Sequence, residues 1–330
     1  MLVDHHGRKV SYLRLSITDR CNLRCLYCRP QDEWTFLSHD SILSYEEMFR
    51  LVDVSRLAGV EKVRLTGGEP FARKDFIPFV ARLHQAFPDL DLRITTNATL
   101  MQDKARALRE AGVTCLNISL DTLRRDRFRE ITGVDGYDLV RSGIDACLEA
   151  GLRVKMNVVA LKGINDDELP GFVDFARAHG LDVRFIEFMP IGYQSRWNRD
   201  NYWPAEDIIA AVEQLVPLDE VRGASRNSGP ARMYRIAGGP GRIGVISAVS
   251  HHFCDSCNRF RVTSDGKLRT CLFSDTEYDV RAILRDPAQG AEDLLALFRR
   301  ANREKPMGYR LLQERRANQV CDRAMTAIGG

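Results

Sequence analysis

No stretch of the 330-residue chain approaches the ~18 consecutive apolar residues of a membrane-spanning helix, which argues against helical membrane insertion. The opening residues, MLVDHHGRKV, lack the apolar core of a secretory signal, so a cytoplasmic location is the expectation. Charge of one sign is missing too. The formal net charge is +3, too little for a general nucleic-acid surface, and neither nucleic acid nor membrane is expected as a partner. There is no tandem repeat and no low-complexity segment. What the chain does have is nine cysteines, six of them in two groups: Cys21, Cys25, Cys28 and Cys254, Cys257, Cys271. Each group lacks a fourth. Clustered cysteines in a cytosolic chain point to metal rather than disulfides. Cys147 follows Val140 and Ile144 on the apolar face of a helical pattern and reads as a small buried hydrophobe, the default for Cys115 and Cys321 as well.

A strand-then-helix rhythm runs from about residue 10 to about 190. Strands are expected at 11–18, 62–66, 92–97, 115–120, 153–159 and 183–188. Helices are expected from Ser44, where Glu47 completes a capping box, and at roughly 75–87, 102–111, 138–150 and 166–179. Repeated βα units imply a parallel sheet with crossover helices, and polar strand ends favour a site at the C-terminal mouth of a barrel. In CLNISL, Leu116, Ile118 and Leu120 share the face that packs on helices, while Cys115, Asn117 and Ser119 face the interior. The expected fold class is α/β: a partial (β/α)6 barrel with a smaller C-terminal α+β region. After residue 190 the rhythm breaks. A helix is expected at 205–216, a loop at 222–230, short antiparallel strands with a turn at Asp265-Gly266, and helices near 277–285 and 290–304. The division is drawn as 1–220 for the barrel and 221–330 for the C-terminal region.

The first cysteine group, CNLRCLYC, follows the first strand. Three thiolates can hold three irons of a [4Fe–4S] cube and leave the fourth for another ligand; a zinc knuckle is the plainer alternative. The C-x3-C-x2-C spacing, with Tyr27 before the third cysteine, resembles the radical S-adenosylmethionine (SAM) superfamily, in which the free iron is chelated by SAM and the sulfonium is cleaved to a 5′-deoxyadenosyl radical. LTGGEP at 65–70 supports this, because glycines let the backbone approach a ligand and Glu69 could meet an ammonium group. In the second group two residues separate Cys254 from Cys257, and Cys271 follows after thirteen more. A Cys3His zinc site using His251 or His252 and a second cube with a free iron both fit the spacing. Arg259 and Arg261, on one face of a strand, suit an anionic substrate such as a phosphate chain.

Taken together, GRKVSYLRLSITDRCNLRCLYCRP, KVRLTGGEP, RFIEFMPIG, FCDSCNRFRVTSDGKLRTCLF and the terminal IGG resemble the GTP 3′,8-cyclase family of molybdenum cofactor biosynthesis, from residue 3 through the end of the chain. The resemblance implies two [4Fe–4S] clusters and SAM as cofactors. The first cluster, on Cys21, Cys25 and Cys28, would hold SAM with Tyr27, Gly68, Ser119 and Met189. The second, on Cys254, Cys257 and Cys271, would bind the guanine of GTP. Arg14, Lys62, Arg64, Thr95, Lys155, Arg184, Arg259 and Arg261 would contact GTP, and the Gly329–Gly330 tail would enter the site. The implied reaction takes the ribose C3′ hydrogen and joins C3′ to C8, giving 3′,8-cyclo-7,8-dihydro-GTP. Implied partners are an electron donor of flavodoxin or ferredoxin type and the next enzyme, cyclic pyranopterin monophosphate synthase, with a homodimer as one option for assembly. Two competing readings remain at this point: a radical SAM enzyme with an auxiliary cluster acting on a peptide or other substrate, and a non-enzymatic, zinc-stabilised nucleotide-binding module.

Overall fold

Helix α1 (Tyr45–Leu57) begins where its sequence dictates. Ser44 Oγ accepts from the Glu47 N–H at 3.1 Å, and Glu47 Oε2 accepts from the Ser44 N–H at 2.7 Å. Met48, Leu51 and Val52 are fully buried on its inner face. The computed structural model describes residues 1–28, 35–192, 196–221, 229–314 and 320–329.

A two-stranded ribbon, β1 (Leu2–Val3) and β2 (Lys9–Val10), precedes the barrel. Strand β3 (Tyr12–Ser16) leads into α1; β4 (Lys62–Thr66) into α2 (Phe76–Ala86); β5 (Asp91–Thr96) into α3 (Ala105–Glu110). Strand β6 (Cys115–Ser119) is followed by α4 (Arg125–Thr132) and α5 (Tyr137–Glu149), β7 (Arg153–Ala160) by α6 (Leu169–His179), and β8 (Asp182–Glu187) by α7 (Ala205–Glu213). All six expected strands are present. Helix α4 was not expected, because its eight residues, RDRFREIT, offer only Phe128 and Ile131 as apolar anchors.

The C-terminal strands depart from expectation. Strands β9 (Leu218–Glu220), β10 (Arg232–Ile236) and β11 (Arg242–Ile246) do pair antiparallel with one another, as do β12 (Arg259–Val262), β13 (Lys267–Arg269) and β14 (Tyr278–Asp279). They do not form a sheet of their own. Strand β11 adds parallel to β8, and β12 adds parallel to β3. The result is one twelve-stranded sheet in the order β14-β13-β12-β3-β4-β5-β6-β7-β8-β11-β10-β9. Its central eight strands are parallel. The physical reason is edge satisfaction: a six-stranded parallel sheet leaves unpaired N–H and C=O groups on β3 and β8, and the C-terminal segments cover both. The sheet is therefore continuous across residue 220. The loop read at 222–230 falls mostly outside the described residues.

Alternation does the sorting. In β7 every second residue is buried against the helices, while Arg153, Lys155, Asn157 and Val159 face inward. The apolar faces of the parallel strands and the inner faces of α1–α7 make one continuous core, joined by α8 (Val280–Arg285) and α9 (Ala291–Arg303). Cys147 lies in it, fully buried. A smaller core of Ile191, Phe273, Val320, Cys321 and Ile328 anchors the C-terminal segment, after α10 (Gly308–Glu314) and around α11 (Met325–Ile328).

Candidate active site

The inward faces of all eight parallel strands line one cavity of about 960 Å³. Its two ends are chemically different. Cys21, Cys25 and Cys28 follow the C-terminal end of β3. Cys257 lies two residues before the start of β12, which runs parallel to β3, and Cys271 lies two residues past β13, which runs back. The two triplets therefore sit at opposite ends of the strands, with the strand interiors between them. All six are free thiols, half-buried, lining the same cavity. The expectation of a site at the C-terminal mouth of the barrel is corrected accordingly: the cations line the wall between two ends.

That wall carries a row of guanidiniums. Register places Arg261 beside Arg14, Arg14 beside Arg64 and Arg64 beside Arg93, on four adjacent strands and all facing the cavity. Like charges directly opposite each other are destabilising unless something neutralises them. One level away, Arg259, Tyr12, Lys62 and Asp91 form a second row. Burial, together with Arg64 and Arg259, brings the Arg14 guanidinium down to about 10, although Tyr12 opposes the shift. Arg184 is likewise pulled down to about 10 by burial and by Arg64. Burial alone would raise the Tyr12 hydroxyl, but Arg64, Arg14 and Lys62 outweigh it and bring it down to about 7. Arg64 donates to the Tyr12 hydroxyl and, at 3.2 Å, to Thr95 Oγ1, while the Lys62 ammonium lies over the Tyr12 ring. Lys62 also pairs with Asp91 at 3.4 Å and Lys155 with Asp182 at 3.5 Å. Among the described residues, Arg184 Nε and Nη2 and Arg93 Nη1 are buried without a hydrogen-bond partner. Buried polar groups are ordinarily satisfied, so these donors mark where an anionic ligand would complete the site.

The C-terminal tail reaches this row. Arg14 Nε and Arg261 Nη1 donate to the Gly329 carbonyl at 3.1 and 2.9 Å. Gly329 has φ +68°, and a Cβ there would lie 2.9 Å from Thr66 Cγ2. Arg323, bidentate to Asp265 at 3.1 Å and 2.8 Å from Glu277, pins the tail's approach to the β12–β13 hairpin. Gly330 lies outside the described residues.

At the first cysteine end the buried charged groups are acids. A Cβ on Gly68 would fall 2.0 Å from the Arg20 carbonyl oxygen, so only glycine fits against the loop leading to Cys21. The Glu69 carboxylate is 1 % exposed and accepts from Phe71 N–H, Thr96 Oγ1 and Asn97 N–H at 3.1, 2.8 and 2.7 Å; burial raises it to about 7. It ties the GGE turn to β5. Asn97 Nδ2 in turn points at Cys21 Sγ, 3.8 Å away. The Tyr27 hydroxyl donates to Asp121, whose carboxyl burial raises to about 6. Ser119 and Met189 line the same end. Strand β8 ends at Glu187, so Met189 escapes the alternation that would have put it opposite Arg184.

Apart from Gly330, every site residue expected from the sequence lines the cavity or, for Gly329, touches its cations. Sequence reading missed Tyr12, Arg93 and Asp121. Each lies two residues from a residue that was singled out or from a strand partner's level, so strict alternation would have found them.

Among the described residues neither histidine completes a zinc site with the second triplet. His251 is exposed with Nε2 3.4 Å from Glu206, and His252 stacks on Tyr309. Among the described residues no three His, Cys, Asp or Glu side chains converge as one metal ion requires. A cube needs a wider triangle, because each thiolate binds a different iron. At the second end, Gly308 leaves room beside the thiols that a Cβ would fill, 2.8 Å from Cys271 Sγ and 3.7 Å from Cys254 Sγ. The donor sets fit two cubes.

Residues 15–176 match the family model of the radical SAM superfamily, and 181–311 match that of Molybdenum Cofactor Synthesis C. The GTP 3′,8-cyclase of Listeria monocytogenes is 42% identical over 340 residues, covering 100% of this chain and 99% of its own. That of Heliobacterium modesticaldum is 43% identical over 333 residues, covering 100% of both. The chain belongs to the GTP 3′,8-cyclase family. Members are radical SAM enzymes that use SAM and two [4Fe–4S] clusters. The fold is that of solved radical SAM structures: Streptococcus suis SuiB bound to S-adenosylmethionine superimposes with a TM-score of 0.63 at 14% identity, covering 97% of this chain and 77% of that one. Native anSMEcpe with bound AdoMet gives 0.56 at 15%, covering 91% and 82%. No described helix is long and apolar enough to cross a membrane.

Proposed function

We propose that this cyclase-family chain converts GTP to (8S)-3′,8-cyclo-7,8-dihydro-GTP, the first step of molybdenum cofactor biosynthesis. The observation that carries the reading is the row Arg261–Arg14–Arg64–Arg93, with unsatisfied donors on Arg93 and Arg184, set between two cysteine triplets. A triphosphate is the ligand that a row of guanidiniums neutralises best. When bound, SAM on the first cluster supplies hydrogen-atom abstraction at the ribose C3′, and the second cluster supplies an open iron for the guanine base.

The chain's own residues do the rest. Tyr27, Gly68, Ser119 and Met189 are assigned to SAM, with Gly68 giving the backbone its close approach. Arg14, Lys62, Arg64, Thr95, Lys155, Arg184, Arg259 and Arg261 are assigned to GTP. Held from the wall between the two ends, the nucleotide spans the cavity with its ribose facing the SAM end. That fixes C3′ and excludes water and stray hydrogen donors from it. The Gly329 carbonyl shares Arg14 and Arg261 with the phosphates and closes the cation row. The same reading takes in a cytoplasmic location, an electron donor of flavodoxin or ferredoxin type, delivery of product to cyclic pyranopterin monophosphate synthase, a homodimer, and the division at residue 220 between the barrel and the C-terminal region that carries the second triplet and the tail.

The test is an anaerobic assay with reconstituted, dithionite-reduced protein, SAM and GTP deuterated at C3′. Deuterium in the 5′-deoxyadenosine is the expected result. 5′-Deoxyadenosine without deuterium would overturn GTP C3′ as the position attacked, and none at all from protein with verified iron and sulfide would overturn the SAM site.

A further inference from the structure

Residues 305–309, KPMGY, carry no motif, yet they wrap the second cysteine triplet. Lys305 is 3% exposed. Its ammonium donates to the backbone carbonyls of Arg259, at 2.8 Å, and Thr270. Among the described residues no carboxylate pairs with it, and the negative groups it faces are the thiolates of Cys257 and Cys271. The same stretch carries Gly308, whose absent side chain leaves Cys271 Sγ and Cys254 Sγ uncovered, and the N–H groups of Gly308 and Tyr309 donate to the Cys254 sulfur. Arg8 braces it from the other side. Its buried guanidinium, paired with Asp4, donates to the carbonyls of Cys254, Lys305 and Pro306 at 3.1, 2.8 and 3.2 Å.

An isolated buried ammonium is costly unless an opposite charge compensates it. Two carbonyls orient Lys305 but do not neutralise it. A cube on three thiolates does, and it becomes more negative by one charge on reduction, so a fixed cation beside it favours the reduced form. We propose that Lys305 is a positioning residue of the second cluster, the built-in counter-charge that raises this cluster's reduction potential, with Arg8 and the 305–309 backbone holding it in place. The proposal rests on the second triplet holding a cube.

The test compares Lys305→Met with Lys305→Arg in the full, reconstituted protein, by iron content and by redox titration of the two clusters' electron paramagnetic resonance signals. Lys305→Met is expected to make the second cluster's midpoint clearly more negative, to leave the first unchanged, and to be restored by Lys305→Arg. If Lys305→Met fails to assemble the second cluster while Lys305→Arg assembles it, charge compensation is again supported. Unchanged midpoints in Lys305→Met, an equal shift in both variants, or loss of the cluster in both would overturn the role of the charge. Wild-type protein with iron for one cluster only would overturn the second cluster itself, an outcome distinct from the others.

Discussion

The two cysteine triplets share one cavity but not one electrostatic frame. Around Cys21, Cys25 and Cys28 the buried charged side chains are Asp19, Glu69 and Asp121, all acids. Burial, Cys28 and Asp121 push the Cys25 thiol well above its ordinary range. Around Cys254, Cys257 and Cys271 stand the buried Arg8 and Lys305 and the half-buried Arg259. There, burial is outweighed at Cys257 by Arg259 and Lys305, and its thiol is drawn down to about 6, while burial still raises the thiol of Cys254. Identical ligands in opposite surroundings imply different work. An acidic frame makes added electrons costly and suits the end that must pass an electron on. A cationic frame stabilises negative charge and suits the end that meets an anionic substrate. Between them lies the guanidinium row, which belongs to neither triplet and which the proposed function assigns to the nucleotide.

The largest effects should come from removing one end while sparing the other. Cys271→Ala is expected to lose the second cluster and GTP turnover altogether while still cleaving SAM slowly. Iron analysis and 5′-deoxyadenosine assay check this, and unchanged iron would contradict the ligand assignment. Gly68→Ala does the reverse. Its Cβ would overlap the Arg20 carbonyl, so SAM binding and cleavage should collapse while the second cluster's signal still responds to GTP. Deleting Gly329 and Gly330 should leave both clusters and abolish cyclisation. Full turnover by the truncated protein would remove the tail from the site.

Smaller effects probe the wall between. Arg184→Gln removes a guanidinium whose Nε and Nη2 have no hydrogen-bond partner among the described residues, so it should raise the KM for GTP about 10- to 100-fold, the ~1.5–3 kcal/mol of a charge-assisted hydrogen bond, with kcat less affected. The smallest effect is one of pH. Tyr12 ionises near 7 rather than 10, because Arg64, Arg14 and Lys62 overcome its burial. Its phenolate, present above about 7, competes with phosphate for those cations. GTP affinity should therefore fall as pH rises from 6 to 8, and Tyr12→Phe should flatten that fall, measured by binding titration.

Much of this was legible in the sequence because the signals were local. Capping at Ser44, alternation in CLNISL and the cysteine spacings each involve a few neighbouring residues. The pairing of β11 with β8 and of β12 with β3 was not legible, since it joins segments some 60 and 250 residues apart by edge hydrogen bonds that carry no side-chain pattern. Lys305 was hidden for a similar reason. In the run NREKP it reads as one more solvated charge, and only the fold brings it beneath Cys257 and Cys271.

The central claim is that each end of the cavity has its own ligand. The most direct test uses two variants, Cys25→Ala and Cys257→Ala, each leaving one cluster, and follows the paramagnetic resonance of the reduced cluster as SAM or GTP is added. SAM should alter only the signal that survives in Cys257→Ala, and GTP only the signal that survives in Cys25→Ala. GTP altering the first cluster's signal, or SAM the second's, would contradict the account.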